Sequence, residues 1–347
     1  MESPPIHYRS LFLFFGYLSL ALFLIFICCD TIYLRYQARQ RKHDWAAPKR
    51  RAQFFLFTFL AALSLATTWY YMITLFVHSF NNWGTSPEGL AYSGVDVPLV
   101  IRMGLWLKKT YVLQEARETV FETPTRLWWS GQIFGWTIGW SLFLGLTGRR
   151  YRIPYVWVYM LVAQGISVSF AANLFFAAIT VSQRPDEHHV AFAWSPPLLY
   201  ELAPVALSLL DTLAVPIFAY EKGFMVILLA PHLFVFVPCV LRPMISFPSR
   251  TKDSKAQQGG RTTQRYAVFI NWVAAASVIL QAYFTVLMLQ DIGTDVPLGE
   301  VARHLLDAVY VHPACSSVSW DVIMCTLSAF AWALSHGFNA SRMLGGQ

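Results

Sequence analysis

The sequence contains 347 residues, of which 56% are hydrophobic and only 13% are charged. Its mean hydropathy is +0.45, and a soluble domain carries about 25% charged residues, so this composition excludes a soluble globular protein. The formal net charge is +7. The lysines and arginines cluster between apolar segments, where they report membrane orientation. We therefore predict a membrane protein and no nucleic-acid partner.

Seven apolar segments are long enough to cross a bilayer, because a helix needs about 20 mostly apolar residues to span about 30 Å of hydrocarbon. They are residues 11–34, 54–80, 127–146, 154–181, 223–241, 266–289 and 316–335. The sequence therefore predicts an all-α fold, a polytopic transmembrane helical bundle that forms a single domain over residues 1–347.

An eighth apolar segment, residues 198–220, is different. Its acidic and helix-breaking residues are costly in lipid unless they face protein or water. They are Glu201, Pro204, Asp211 and Pro216. A full span here would also place the basic loop 242–265 outside the cell or in the lumen, against the positive-inside rule. We therefore predict a broken, partly inserted segment, with eight full spans as the alternative, an outside N-terminus and a cytoplasmic C-terminus.

Two connecting segments have a distinct character. Residues 242–265 are predicted to form a basic cytoplasmic loop. Residues 81–126 are too charged to cross the membrane and are predicted to form a lumenal loop that contains an amphipathic surface helix over residues 105–121. The apolar residues of that helix recur at helical spacing: Trp106, Leu113, Ala116 and Val120.

The third predicted span combines glycines with indole rings. Gly131, Gly135 and Gly139 fall on one helical stripe, which favours close approach of another helix. Aromatic and amide side chains lie on the neighbouring stripe, and further polar residues occur at membrane depth in other spans. We expect a polar-aromatic cavity that binds substrate through Trp69, Tyr70, Trp129, Gln132, Trp136 and Asn173. The alternatives are an interfacial aromatic belt for Trp129 and interhelical hydrogen bonds for the amides.

A carboxyl group buried in hydrocarbon tends to keep its proton and can then act as a general acid. Glu201 and Asp211 are the leading candidates for such a catalytic acid. Glu118 and Glu115 of the surface helix and Asp321 of the last span are second choices, and a solvated helix face is the alternative for Glu118 and Glu115.

The familiar metal and nucleotide signatures are missing from the sequence. It contains no aspartate cluster of the DDxxD type, no DxDD motif, no Walker loop and no HExxH motif. We therefore predict no metal and no cofactor. Residues 186–189, Asp-Glu-His-His, could hold a metal only weakly, because adjacent loop residues rarely form a site.

Several short runs form a pattern that is densest between residues 54 and 178. They are TTWYY at 67–71, TRLWW at 125–129, QIF at 132–134, GRRYRIP at 148–154, SFA at 169–171 and NLFF at 173–176. This pattern resembles the membrane-bound terpene cyclases of fungal ascochlorin and ascofuranone biosynthesis.

The resemblance implies a metal-independent cyclase of meroterpenoid secondary metabolism, an isomerase or lyase in the endoplasmic reticulum membrane. Such an enzyme protonates the terminal epoxide of a farnesylated substrate and guides carbocation cyclisation. Aromatic faces would help, because each stabilises a cation by about 0.5–2 kcal/mol. The expected partners are a hydrophobic prenylated small molecule and membrane lipid. The alternatives are a seven-span transporter or receptor-like protein that binds a hydrophobic small molecule, and a structural membrane protein without chemistry.

Overall fold

The computed structural model describes residues 6–41, 48–92, 97–182, 199–218, 224–240, 252–293 and 295–344. Within these ranges the chain is helical and contains no strand, which confirms the all-α prediction. The helices are α1 (Tyr8–Gln40), α2 (Pro48–Thr85), α3 (Pro87–Leu90), α4 (Leu99–Lys109), α5 (Val112–Phe121), α6 (Pro124–Arg150), α7 (Val156–Gly165), α8 (Val168–Val181), α9 (Leu199–Phe218), α10 (Phe224–Phe234), α11 (Val237–Val240), α12 (Lys252–Ile292), α13 (Leu298–Tyr310), α14 (Pro313–Ser335) and α15 (Ala340–Met343).

Among the described residues, five helices are long and apolar enough to cross a membrane: α1, α2, α9, α14 and the Val268–Ile292 part of α12. Large apolar side chains on their outer faces are exposed, among them Phe12 and Phe59, as expected for contact with lipid. Helix α6 is 27 residues long and is not one of the five, and more than half of its residues are buried against other helices. The chain is therefore an α-helical protein of membrane type.

Residues 154–181 do not form the single crossing helix that the sequence predicts. Helix α7 ends at Gly165 and α8 begins at Val168, and the two helices pack against each other. The ring of Tyr159 in α7 lies 5.2 Å from the ring of Phe175 in α8. These two residues are about equally far along the chain from the turn between the helices. The two helices are therefore antiparallel and form a tight hairpin.

Both ends of this hairpin lie at the same end of the bundle. Arg35 of α1 donates hydrogen bonds to the carbonyl of Arg152, 2.6 Å away, and to the hydroxyl of Ser182, 2.7 Å away. One guanidinium thus contacts the residues that precede α7 and follow α8. The prediction of a full span at 154–181 is wrong, because a long apolar run also fits two short helices buried inside the protein.

The buried helix α8 has partners at both of its ends. At its N-terminus, the carboxylate of Asp321 accepts hydrogen bonds from the Ser167 hydroxyl (2.8 Å) and from the amides of Val168 (2.9 Å) and Ser169 (2.8 Å). At its C-terminus, Arg39 donates to the carbonyls of residues 181 and 182. A negative side chain at the N-terminus and a positive one at the C-terminus interact favourably with the helix dipole. They also bind backbone N–H and C=O groups that have no partner within the helix.

Residues 198–220 also differ from the prediction, because the described residues 199–218 form one continuous helix, α9. Pro204 and Pro216 lie inside this helix, and each removes one backbone hydrogen bond without ending the helix. The buried acid Glu201 forms an ion pair with Arg149 of α6, with a nitrogen–oxygen distance of 2.6 Å. This ion pair offsets the free-energy cost of burying the Glu201 carboxylate, and that cost was one reason to predict a broken segment. The break instead lies in predicted span 223–241, between α10 and α11.

The surface helix predicted over residues 105–121 is divided in the structure. Helix α4 ends at Lys109 and α5 begins at Val112. Trp106 is buried and donates a hydrogen bond to the Ser79 hydroxyl at 3.1 Å. Val120 is also buried, and both residues belong to one apolar cluster with residues of α2 and α14. The amphipathic character is confirmed, but the segment caps the end of α2 as two helices.

The first and last residues that the structure describes lie at opposite ends of the bundle. His7 lies against Gly104 of α4, near the segment predicted to be lumenal. The carbonyl of Leu344 accepts a hydrogen bond from Arg150, beside the basic residues predicted to be cytoplasmic. This arrangement agrees with an odd number of crossings.

Replacing Asp321 tests the cap of α8. We expect Asp321→Ala to lower the free energy of unfolding by roughly 3 kcal/mol, because two buried amides lose their acceptor. Asp321→Asn keeps one acceptor oxygen and should cost less. Thermal unfolding of the detergent-solubilised chain measures both, with Asp307→Ala on the exposed face of α13 as the control. Equal stability of Asp321→Ala and the control would show that α8 does not need this cap.

Candidate ligand-binding cavity

A cavity of about 440 Å³ lies between four long helices, and Met343 of α15 also lines it. The cavity is partly open to the outside of the bundle, because the lining residue Val278 is 69% exposed. Its walls come from α6 between Gly131 and Phe143, from α8, from α12 between Ile270 and Gln281, and from α14 between Cys325 and Trp332. The stretch of α6 from Gly131 to Phe143 covers about 18 Å at about 1.5 Å per residue. The cavity is therefore elongated along the helix axes.

The glycines of α6 explain why the cavity exists. A side-chain carbon at Gly131 would lie 2.3 Å from the ring of Phe284 on α12, and one at Gly135 would lie 3.4 Å from the Ser277 hydroxyl. At Gly139 the same atom would meet nothing within 4 Å. Helices α6 and α12 therefore touch at Gly131, as the glycine stripe predicts, but diverge before Gly139, where the stripe faces open space.

Aromatic rings form one end of the cavity. The rings of Trp332 and Phe176 are stacked, with centroids 4.5 Å apart and an interplanar angle of 11°. Phe143 meets Phe176 edge-on at 5.7 Å and Trp332 at 6.0 Å, while Trp136 and Trp140 of α6 line the adjoining wall. These packed rings hold aromatic faces and edges in fixed positions around the cavity.

Two glutamines line the opposite end. The side-chain nitrogens of Gln132 and Gln281 both donate to the backbone carbonyl of Trp128, at 3.0 Å and 3.3 Å. The hydroxyls of Ser277 and Ser328 donate to carbonyls of their own helices. None of the described residues that line the cavity is charged. The site is thus an uncharged space, amide-lined at one end and aromatic at the other.

Of the six predicted substrate-binding residues, Gln132 and Trp136 line the cavity. Asn173 lies one layer behind the wall. It is completely buried on α8, and its amide nitrogen donates to the hydroxyl of the lining residue Ser328 at 2.8 Å. Three of the six predicted substrate-binding residues therefore line the cavity or contact a residue that lines it.

The other three predicted binding residues lie elsewhere. The Trp129 indole donates to the carbonyl of Leu305 on α13 at 2.9 Å. Tyr70 is 64% exposed on the outer face of α2 and stacks edge-on against Tyr71. Trp69 is half-buried and is not one of the residues that line the cavity.

None of the three predicted catalytic acids lines the cavity. Glu201 is completely buried and paired with Arg149. Glu118 is exposed on α5 and accepts a hydrogen bond from Gln114 at 2.9 Å. Asp211 is half-buried on α9, a helix that packs against both α6 and α12. The second-choice acid Asp321 is the cap of α8 and lies one helical turn before the lining residue Cys325.

The sequence patterns did not identify Phe176 or Trp332 as cavity residues. Gln281, by contrast, is one of the polar residues at membrane depth that led us to expect a polar-aromatic cavity, and it lines the cavity. Trp332 and Phe176 carry no such signal, because apolar rings in an apolar helix are equally compatible with lipid contact and with a wall.

The described residues contain no group of three or more histidine, cysteine, aspartate or glutamate side chains placed to hold a metal ion. The weak candidate at residues 186–189 lies outside the described ranges.

Fold and site together define an α-helical protein of membrane type with an uncharged, aromatic-walled cavity between its helices. Comparisons with protein-family models, with curated proteins and with solved structures return no match.

Alanine substitutions in the glycine stripe test how α6 and α12 meet. We expect Gly131→Ala to destabilise the protein by about 1–3 kcal/mol, because the new methyl group overlaps the buried Phe284 ring. Gly139→Ala projects into open space and should be neutral or slightly stabilising, since alanine favours helix. Thermal unfolding in detergent measures both. Equal effects at the two positions would contradict the divergence of the helices.

Proposed function

We propose that the protein is a membrane-bound terpene cyclase that holds an uncharged prenylated molecule in the cavity and closes its chain into rings. The observation that carries this proposal is the cavity itself, about 440 Å³ in volume, with aromatic walls and no charged lining residue. This volume lies in the range of about 300–1,000 Å³ that is typical of small-molecule sites.

The shape and wall chemistry support a substrate with a flexible apolar chain. An elongated cavity accepts a chain that lies along the helix axes, and packed rings can impose a folded conformation on it. A carbocation that forms in such a chain would be stabilised by indole and phenyl faces. The same rings would exclude water, which otherwise quenches a cation.

The absence of charge among the described lining residues favours an uncharged substrate over a prenyl diphosphate. A diphosphate would have to lose its hydration without a compensating cation, which is strongly unfavourable in a low-dielectric site. An epoxide has no such requirement, because it needs only a proton to open. This agrees with the type of reaction that the sequence pattern implies.

Asp211 is our proposed proton donor. Glu201 is committed to Arg149 and Asp321 to the N-terminus of α8, whereas Asp211 has no hydrogen-bond partner among the described residues. Its helix packs against the two helices that diverge to form the cavity. Donation from Asp211 to the epoxide oxygen would break a C–O bond and leave a hydroxyl group and a carbocation. Attack of the chain's double bonds on that cation would close the rings, and loss of a proton from the final cation to the Asp211 carboxylate would regenerate the acid.

We further propose that the chain crosses the membrane seven times, with the α7–α8 hairpin entering and leaving on the cytoplasmic side of the endoplasmic reticulum membrane. Glu201 of α9 contacts the end of α6 that carries Arg149. Val215 of the same helix packs beside Leu127, near the start of α6. Helix α9 thus extends along α6 and supplies the crossing that residues 154–181 do not.

A conversion assay tests the cyclase proposal. Microsomes that contain the chain should convert an epoxyfarnesyl phenol into a cyclic product without added magnesium. Asp211→Asn should lower the rate at least about 100-fold, the usual contribution of a general acid, while Asp307→Asn on exposed α13 should leave it unchanged. Full activity of Asp211→Asn would remove the proposed donor, and no conversion by the unaltered chain would remove the cyclase.

A substitution that fills the cavity tests the location of the site. Gly139→Leu projects into open space and should abolish conversion while leaving thermal stability near that of the unaltered chain. Gly16→Leu on α1 is a matched control, because a side chain there also meets nothing within 4 Å and lies outside the cavity. Unchanged conversion by stable Gly139→Leu protein would place the site elsewhere.

The second candidate function is binding of a hydrophobic molecule without chemistry. It is favoured by the absence of a carboxyl group among the described residues that line the cavity. In that case we expect the protein to bind the epoxyfarnesyl phenol without converting it, and Gly139→Leu to abolish this binding.

A further inference from the structure

The amide-lined end of the cavity has a specific construction. Gln132 of α6 and Gln281 of α12 approach the same acceptor, the carbonyl of Trp128, from two different helices. Trp128 is itself fixed, because its indole donates to the Thr285 hydroxyl at 2.9 Å. The two carboxamides are therefore held side by side on a rigid support.

Each carboxamide retains unused hydrogen-bonding capacity. A glutamine side chain has two N–H donors and one carbonyl oxygen, and each of these two glutamines uses one N–H on Trp128. Neither side-chain oxygen has a hydrogen-bond partner among the described residues. Both residues line the cavity, so a ligand there can reach acceptors and donors on both side chains.

The remainder of the cavity is mostly apolar, its serine hydroxyls being engaged on their own helices. It extends from the two glutamines toward Phe143. Phe143 is 11 residues after Gln132 on the same helix, which places their backbones about 16 Å apart. The stacked rings of Trp332 and Phe176 lie at the Phe143 end. The cavity therefore has a polar, uncharged end and a distant aromatic end.

We propose that Gln132 and Gln281 form a clamp for an uncharged group that both donates and accepts hydrogen bonds, such as a phenolic hydroxyl. The prenyl chain of the same molecule then extends toward Phe143 and Trp332 and, in the folded conformation proposed above, returns its terminal epoxide toward Asp211. This inference rests on the proposed function, since it names the substrate class of that cavity and the orientation of the substrate within it. A carboxylate or diphosphate is rejected, because two amides supply no compensating charge.

Equilibrium binding of tritiated farnesylphenol to the full chain in lipid nanodiscs tests the clamp, with empty nanodiscs subtracted. Three unlabelled competitors share one apolar chain: farnesylphenol, its methyl ether and farnesyl diphosphate. We expect the ether to compete about fivefold to tenfold more weakly than the phenol, because it cannot donate a hydrogen bond. The diphosphate should not compete.

Substitution of the clamp should remove this preference. Gln281→Met retains the size and helix propensity of the side chain, and the phenol and the ether should then compete equally. Gln132→Met should behave in the same way and serves if Gln281→Met does not fold. Gln164→Met, at a glutamine that contacts His232 and does not line the cavity, should keep the unaltered preference.

The results separate this inference from the cyclase proposal. A phenol preference that disappears in both clamp variants supports the clamp, whether or not conversion is seen. Equal competition by phenol and ether in the unaltered chain overturns the clamp even if the chain is a cyclase. Absence of saturable farnesylphenol binding, or competition by the diphosphate, also overturns it.

Discussion

The fold depends on α8, a helix without charged residues whose two ends bind charged side chains of other helices. All residues of α8 are buried, so its terminal N–H and C=O groups cannot reach water. Asp321 accepts the hydrogen bonds of its first turn, and Arg39 binds its last carbonyls. Without these partners the unpaired backbone groups would cost several kcal/mol at membrane depth.

This arrangement determines where the remaining helices can lie. Helices α1, α2, α6, α7 and α14 all pack against α8, so the hairpin occupies the centre of the bundle and lipid-facing helices surround it. Helix α12 packs against α6 on a glycine contact at only one end. Helices α8 and α14 close one side of the space between α6 and α12, and the exposed lining residue Val278 marks where the cavity opens to the outside of the bundle.

Sequence could predict the class of fold because composition and segment length respond directly to the bilayer. It failed at 154–181, where two antiparallel helices have the same total length and hydropathy as one span. It failed at 198–220 because the ion pair of Glu201 with Arg149 joins residues 52 positions apart, and such long-range pairing leaves no local pattern. Both errors arise from contacts that sequence periodicity does not report.

The candidate site was predictable only where one helix presents several relevant residues. Gln132 and Trp136 share a stripe of α6 and were identified together. Tyr70 has the same chemistry as a cavity residue, yet its position around α2 directs it outward, and helix rotation is set by packing partners. Trp332 and Phe176 join the site only through the tertiary contact between α8 and α14.

Photoaffinity labelling of native microsomes tests the central claim most directly. The probe is a farnesylphenol with a diazirine on its chain, and mass spectrometry locates the adducts. The account predicts adducts on α12 between Ile270 and Gln281 and on α14 between Cys325 and Trp332, all suppressed by unlabelled farnesylphenol. Adducts confined to lipid-facing residues such as Phe12 and Phe59, and not suppressed by competitor, would contradict it.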